Sequence, residues 1–235
     1  MKIAIHQSGP IGGRAASVLL AERQLDLLGV LDQEPSEDPR VVRVEELSAW
    51  DVLVSDSSTP ATILDRAVAA NIPLVLSAEL DETASIPLFA GASLIAIARC
   101  LEHETDIDAP IVAITQQGTP LRKGTHIVFP PPVGPLKATQ RHDGLFIAPT
   151  AGDWAGLVIS GARRSIGVAD NTAFLAGIAL AAAATVMATS ELPVGAVRWE
   201  DVAGLYLDTA ENAGLEIASS PAIEVRGRGA KFRQP

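Results

Sequence analysis

The residues best suited to chemistry lie in a short glycine turn near the amino terminus and in an aspartate beyond it. The turn contains Gly9 and Gly12, and Asp32 lies 20 residues beyond Gly12. Glycine lets backbone N–H groups approach a diphosphate, and the start of the following helix offers unpaired donors. A carboxylate at about this spacing reaches the ribose of an adenosine. The pattern predicts that a dinucleotide is bound by His6, Ser8, Gly9, Pro10, Ile11, Gly12 and Asp32.

His6 is the departure from the glycine pattern. Read as G-x-x-G-x-x-G, the turn has glycine at positions 9 and 12 but histidine at position 6. An imidazole there either crowds a diphosphate or donates a hydrogen bond to it. Two interpretations stay open: a working dinucleotide site, or a Rossmann-like domain that has lost its nucleotide and kept its core. No arginine directly follows Asp32 to accept a 2′-phosphate, so a working site favours NAD over NADP.

Two further polar segments, 55–59 and 77–79, directly follow predicted strands. Ligands of a parallel sheet bind beyond the carboxyl ends of its strands, so we expect both segments beside the glycine turn, near the nicotinamide. The predicted cofactor contacts here are Ser55, Ser57, Ser58 and Ala78. Capping of the next helix by Ser58 and Thr59 explains the same residues and does not exclude cofactor contact.

If a bound dinucleotide transfers hydride, the reaction also needs a proton donor, and an anionic substrate needs a positive charge. Suitable proton donors are scarce, and the predicted catalytic residues are His126, His142 and Lys123. Arg122 and Arg141 are predicted to bind an anionic substrate, because they belong to the only concentrated positive charge in the strand-rich second half. Solvated loop residues would give the same pattern. The histidines and the cysteine lack the spacing of a metal site, so none is predicted.

The elements that must position these residues alternate between strands and helices over the first 105 residues, which predicts an α/β fold with a Rossmann-type parallel sheet. The predicted strands are Lys2–Ile5, Leu27–Leu31, Val41–Val44, Val52–Ser55 and Pro73–Ser77, and the predicted helices are Arg14–Glu22, Ala61–Ala70 and one that ends at Glu102.

Beyond the segment 106–110, predicted strands follow one another without helices between them. They are Ile111–Thr115, Thr125–Phe129, Gly144–Ala148 and Gly156–Ser160. Consecutive strands of this kind predict that residues 106–235 form a smaller α+β domain with a mostly antiparallel sheet. We expect the apolar helix Thr172–Ser190 to pack across one face of that sheet. The basic segment Val225–Pro235 is expected to be a solvated tail.

Composition narrows the class of protein. The 235 residues are 48% hydrophobic and 20% charged, with a net charge of −10, which indicates a compact fold and argues against nucleic acid or an anionic membrane as partner. Thr172–Ser190 is long enough to imitate a membrane span, but a buried core helix has the same composition. The single cysteine, Cys100, and the absence of a signal peptide predict a cytoplasmic protein.

With these motifs in view, the chain resembles two families of reductases. The glycine turn, the phrase Asp56-Ser57-Ser58-Thr59-Pro60 and the phrase Leu192-Pro193-Val194-Gly195 resemble the saccharopine dehydrogenase-like reductases. The first 80 residues also resemble the N-terminal domain of dihydrodipicolinate reductase. The resemblance implies a two-domain NAD(P)-dependent oxidoreductase that acts on a small amino-acid-like or imine-like carboxylate and forms a homo-oligomer through its second domain.

Two functions therefore remain open from the sequence. The first is that oxidoreductase, with its dinucleotide on the glycine turn. The second is a non-catalytic Rossmann-like protein with a regulatory or assembly role, in which His6 marks a degenerate cofactor site.

Overall fold

The computed structural model describes residues 1–6, 9–31, 34–56, 60–80 and 84–221. A 3-10 helix lies at Leu47–Ala49. The strands are β1 (Lys2–His6), β2 (Leu27–Val30), β3 (Val41–Arg43), β4 (Val52–Ser55), β5 (Leu74–Leu76), β6 (Pro87–Phe89), β7 (Ile111–Gln117), β8 (Thr125–Val128), β9 (Pro135–Gln140), β10 (Phe146–Thr150), β11 (Trp154–Ser160), β12 (Arg164–Asn171), β13 (Gly195–Ala196) and β14 (Ala218–Pro221). The α-helices are α1 (Pro10–Ala21), α2 (Pro60–Ala70), α3 (Leu94–Glu104), α4 (Thr172–Thr189) and α5 (Trp199–Asn212).

The chain divides into two compact units, each containing one sheet. Unit 1 consists of Met1–Glu104 and Ala173–Leu215, and unit 2 of Thr105–Thr172 and the residues from Glu216 onward. The predicted second domain, 106–235, therefore differs from unit 2, because Ala173–Leu215 returns to unit 1.

Sheet A of unit 1 is parallel throughout, with the strand order β13-β6-β5-β4-β1-β2-β3. Its inner strands are short apolar runs, and Ile3, Ala4 and Ile5 of β1 are completely buried. Parallel strands buried on both faces have this composition because helices cover each side. The strand order reverses direction between β1 and β4, which makes their carboxyl ends the switch point of the sheet.

The two faces of sheet A are covered by different helices. On one face, Ala4, Leu53 and Leu74 belong to a core cluster that also contains Ile63 and Ala67 of α2. On the other, Phe89 of β6 stacks on Tyr206 of α5, with 5.7 Å between the ring centroids. Because successive side chains of a strand alternate between faces, the sheet is the middle layer of a three-layer sandwich.

Helix α4 packs in unit 1, so the prediction that it lies across the second sheet is wrong. The Tyr206 hydroxyl of α5 donates a hydrogen bond to Ala179 O of α4 (3.2 Å). On its other side, a Cβ placed on Gly177 would lie 2.6 Å from Arg14 Cγ of α1. Glycine at this position therefore allows α1 and α4 to approach closely. The residues of α4 are apolar all round because neighbours surround the helix.

Among the described residues, α4 is the one helix long and apolar enough to cross a membrane by length and composition. Of its most apolar window, 61% is buried within the protein. Leu175, Ile178 and Leu180 are among the buried residues. This burial agrees with the interpretation of a core helix.

Sheet B of unit 2 has the strand order β14-β12-β11-β7-β10-β9-β8. Every pairing is antiparallel except the one between β7 and β10. Ile127 and Phe129, in and after β8, join Ala113 and Val158 of the central strands in one buried cluster, so the β8–β9 end of the sheet curls over its middle. The predicted fold class, a Rossmann-type parallel sheet followed by a mostly antiparallel one, is confirmed.

Candidate functional site

The candidate site of unit 1 lies at the switch point of sheet A, where β1 and β4 end side by side. His6 is the last residue of β1 and pairs in register with Ser55, the last residue of β4. The backbone N–H of Asp56 donates to His6 O (3.4 Å), which continues this pairing beyond the strands. The backbone thus brings His6, Ser55 and Asp56 to one edge of the sheet.

The His6 imidazole is half-buried and faces its strand neighbour. Its Nδ1 lies 3.3 Å from Ser55 Oγ, which is a hydrogen bond whose direction depends on the tautomer. Ser55 is completely buried, and its carbonyl accepts a hydrogen bond from Ser77 N–H after β5 (3.0 Å). The predicted contacts His6 and Ser55 therefore lie together at the edge where a dinucleotide of this fold class binds.

The start of α1 forms the second part of the site. Gly9 is the N-cap, with extended backbone and no side-chain cap hydrogen bond, and Pro10 is the first helical residue. A Cβ on Gly9 would meet no atom of the described residues within 4 Å, so the backbone there is open to a ligand. Gly12 is buried in the first turn, and its N–H donates to Asp56 Oδ2 (2.9 Å). Sequence analysis did not select Asp56, although its place directly after a buried strand is a signal for the site.

Arg14 is a second residue of this region that sequence analysis missed. Its guanidinium carbon lies 4.4 Å from the ring centroid of Phe174 at the start of α4, which is a cation–π contact. Its Nε is buried without a hydrogen-bond partner in the described part of the chain. Helical side chains lean toward the helix amino terminus, so Arg14 extends along Phe174 toward the beginnings of both helices.

Of the other residues predicted to bind the cofactor at this edge, some are described by the structure and some lie outside the described residues. Ala78 follows β5, and its carbonyl accepts a hydrogen bond from Gly91 N–H (2.8 Å). Pro10 and Ile11 form the first turn of α1 as described. Outside the described residues lie Ser8, Asp32, Ser57 and Ser58.

The residues predicted for catalysis and substrate binding all belong to unit 2. Arg122 and Lys123 precede β8, and His126 lies within β8 opposite Lys137 of β9. Because these strands are antiparallel, the chain before β8 runs toward the same end of the hairpin as Arg141 and His142, which follow β9. The Lys137 Nζ donates to Arg122 O (2.6 Å) at this end.

These unit 2 side chains are largely exposed. Arg122, Lys123, His126 and His142 all lie on the surface. Arg141 pairs with Asp143, with Nε 3.5 Å from Oδ1. The hairpin therefore presents a basic end, and the catalytic roles of these residues stay predictions. In the described ranges, no group of three or more His, Cys, Asp or Glu residues is placed to hold a metal ion.

Cys100 is excluded as a nucleophile by its environment. It is completely buried in α3, and that burial, together with the carboxylates of Glu104 and Glu200, raises the pKa of the thiol to about 12. A thiol with so high a pKa carries almost no thiolate at neutral pH. Burial likewise raises the pKa of Tyr206 well above its ordinary value. Both groups serve as packing between α3, α5 and sheet A.

None of the protein-family models and none of the curated proteins compared with this sequence matches it. Solved structures do match its fold. A meso-dapdh mutant with DAP from Clostridium tetani E88 has TM-score 0.54 and 11% sequence identity, covering 88% of this chain and 95% of that chain. A C. glutamicum DAP dehydrogenase in complex with DAP has TM-score 0.54 and 10% identity, covering 90% and 98%.

An engineered D-amino acid dehydrogenase bound to NADP+ has TM-score 0.50 and 9% identity, covering 88% of this chain and 95% of that chain. Identities this low establish the shared fold alone. The chain therefore has the two-unit architecture of these dehydrogenases, with the site described above at the switch point of its parallel sheet.

Proposed function

We propose that the chain is an NAD(P)-dependent oxidoreductase that holds its dinucleotide across the carboxyl edge of sheet A. One observation carries the proposal: His6, Ser55, Asp56 and the open backbone at Gly9 converge at the switch point between β1 and β4. Ligands of open α/β sheets bind in the crevice at this point. The dehydrogenase fold of the matched structures supports the same reaction class.

The proposed substrate is a small amino-acid-like or imine-like carboxylate. Two of the matched structures contain DAP, and a third is an amino acid dehydrogenase, which supports this class of substrate. The basic end of the β8–β9 hairpin would attract an anion to an otherwise acidic protein. In this proposal Arg122 and Arg141 bind the carboxylate, and His126, His142 or Lys123 donates the proton. A homo-oligomeric state and a cytoplasmic location belong to the same proposal.

Cofactor preference depends on Asp32, which lies outside the described residues. We propose that its carboxylate accepts hydrogen bonds from the adenosine ribose and repels a 2′-phosphate, giving preference for NAD(H). Asp32→Ala would then narrow the difference between NADH and NADPH affinity. Tighter binding of NADPH than of NADH by the wild type would contradict this role.

The direct test is calorimetric titration of the full chain with NAD+, NADH, NADP+ and NADPH at one salt concentration. We expect at least one dinucleotide to bind with a Kd below about 1 mM, which is about −4 kcal/mol. Binding weaker than this for all four would leave the oxidoreductase without its cofactor.

A second function, a non-catalytic Rossmann-like protein, is favoured by one observation at the same edge. Pro10 has no N–H, so the first turn of α1 lacks one of the donors that a diphosphate uses. In this case the wild type binds no dinucleotide, and His6→Gly or His6→Ala restores weak binding by removing the imidazole. If the enzyme interpretation is right, the same variants keep or improve an affinity that the wild type already has.

A further inference from the structure

The donors at the start of α1 are already partly used by the protein itself. Pro10 contributes no N–H, and Gly13 N–H donates to Gly9 O (3.1 Å). Gly12 N–H donates to Asp56 Oδ2 (2.9 Å), so a side chain from the end of β4 caps the helix in place of Gly9. Residues 10–13 carry three N–H groups, and within the described part of the chain the N–H of Ile11 alone is left for an outside ligand.

The group that caps the helix has the same charge sign as the proposed ligand. A carboxylate at a helix start is stabilised by the helix dipole, as a phosphate would be. A diphosphate brought to this turn would meet a fixed negative charge, and like charges placed side by side oppose binding. The contact therefore competes with the ligand twice, by occupying a donor and by repulsion.

We propose that Asp56 is an internal anion at the diphosphate position of this site, and that it determines how tightly the chain binds a dinucleotide. This inference rests on the proposed function of the same edge. Asp56 is thus a specificity-determining residue: it selects against ligands that place negative charge on the first turn of α1. A ligand that binds must displace the carboxylate from Gly12 N–H or accept a weakened affinity.

A similar contact at the opposite end of sheet A makes it possible to distinguish the effect of losing a charge from the effect of losing it at the site. The Asp51 carboxylate accepts a hydrogen bond from the backbone N–H of Lys2 (2.7 Å), at the first residue of β1. Asp51→Asn removes the same unit of charge from the amino edge of the sheet and, like Asp56→Asn, keeps an oxygen that can accept the backbone hydrogen bond. It is therefore the control for any effect of net charge.

The test compares the wild type with Asp56→Asn and Asp51→Asn by calorimetry. Asparagine keeps an oxygen that accepts from Gly12 N–H, so the cap survives while the charge is lost. The probes are NADH, NADPH, inorganic pyrophosphate and adenosine, at one salt concentration. Asp56→Ser is the second variant, because a serine hydroxyl also caps helices, and circular dichroism checks that each variant is folded.

We expect Asp56→Asn to bind NADH or NADPH at least about tenfold tighter than the wild type, because a like-charge contact is removed. Pyrophosphate should gain in the same direction, adenosine should not change, and Asp51→Asn should match the wild type. Equal or weaker dinucleotide binding by both Asp56 variants overturns the inference.

The outcomes also separate this inference from the proposed function. A wild type that binds a dinucleotide as tightly as the Asp56 variants supports the function and overturns the inference. A wild type that fails to bind, beside an Asp56→Asn protein that binds, supports the inference and overturns the function of the native chain. Failure of all variants with all the phosphate-containing probes overturns both.

Discussion

Unit 1 and unit 2 hold their polar side chains in opposite ways. At the carboxyl edge of sheet A, Ser55 is buried and Asp56 is bonded to the backbone of a helix. At the basic end of the β8–β9 hairpin, His126 and Lys123 point into solvent. A side chain held by buried backbone has one position and can orient a ligand, whereas an exposed one mainly contributes charge. The difference shows that the better-organised group of polar side chains lies in unit 1.

The burial of side chains in unit 1 can be measured through the reactivity of Cys100, which is completely buried. Its pKa of about 12, against an ordinary 9.0, implies about a thousandfold less thiolate at pH 8, so reaction with a thiol reagent should be slower by at least that factor. Between pH 9.0 and about 12 the thiol keeps its proton in the folded state and loses it in the unfolded state. The free energy of unfolding should therefore fall as the pH rises through this range. Labelling of the native chain as fast as in denaturant would contradict the burial.

Packing around the site is tested at Gly177. A leucine there would collide with the Arg14 stem and with Ala15 N, which lies 3.0 Å from the position of a Cβ. We expect Gly177→Leu to lower the free energy of unfolding by about 3 kcal/mol, measured by denaturant titration.

The control for this packing is Gly204→Ala in α5. Its added Cβ would meet nothing closer than 3.9 Å, at Glu104 Oε1. Alanine should stabilise the helix by up to about 1 kcal/mol. Equal effects of the two substitutions would show that α1 and α4 are not closely packed.

A smaller effect is expected from the helix cap. Asp56→Ala removes the acceptor of Gly12 N–H and should lower the free energy of unfolding by about 1 kcal/mol. The comparable aspartate of unit 2 is Asp143, which accepts from Leu145 N–H (3.2 Å) and pairs with Arg141 in a turn. Asp143→Ala should change stability by about 0.5 kcal/mol or less. A larger loss at Asp143 than at Asp56 would reverse the comparison between the units.

The smallest effects are expected at the exposed residues of the hairpin. Lys123→Gln and His126→Gln should each change the free energy of unfolding by less than about 0.5 kcal/mol. Their proposed catalytic roles would appear only as a loss of turnover in the folded protein. A large loss of stability in either variant would mean that the side chain is structural rather than free for substrate.

The parallel half of the fold could be predicted because its pattern is local. β4 was expected at Val52–Ser55 and lies there, since a short apolar run between turns is typical of a buried parallel strand. By contrast, α4 is apolar all round, so its sequence does not indicate which neighbour each side contacts. The sequence did not predict β12 and α5. A glycine interrupts the apolar pattern of each, Gly167 in β12 and Gly204 in α5, and both elements are stabilised by partners far away in the sequence.

The candidate site could likewise be predicted only where its pattern is local. His6, Gly9 and Ser55 follow from the rule that ligands bind at strand ends, and the structure places them at that edge. Asp56 escaped selection because an aspartate after a strand is also common in helix caps and turns. That it caps α1, whose start lies more than forty residues earlier, depends on the pairing of β1 with β4.

Unit 1 is built from two separate segments of the chain, which affects the order in which the protein can fold during synthesis. A ribosome releases Met1–Glu104 first, when α4, α5 and β13 do not yet exist. Until about residue 215 has emerged, the face of sheet A that contains Phe89 has no Tyr206 to cover it. Sheet B gains its last strand later still, because its edge strand β14 lies at Ala218–Pro221. Both sheets thus depend on residues 195–221, and the nascent protein must keep two incomplete cores from aggregating until this segment has been synthesised.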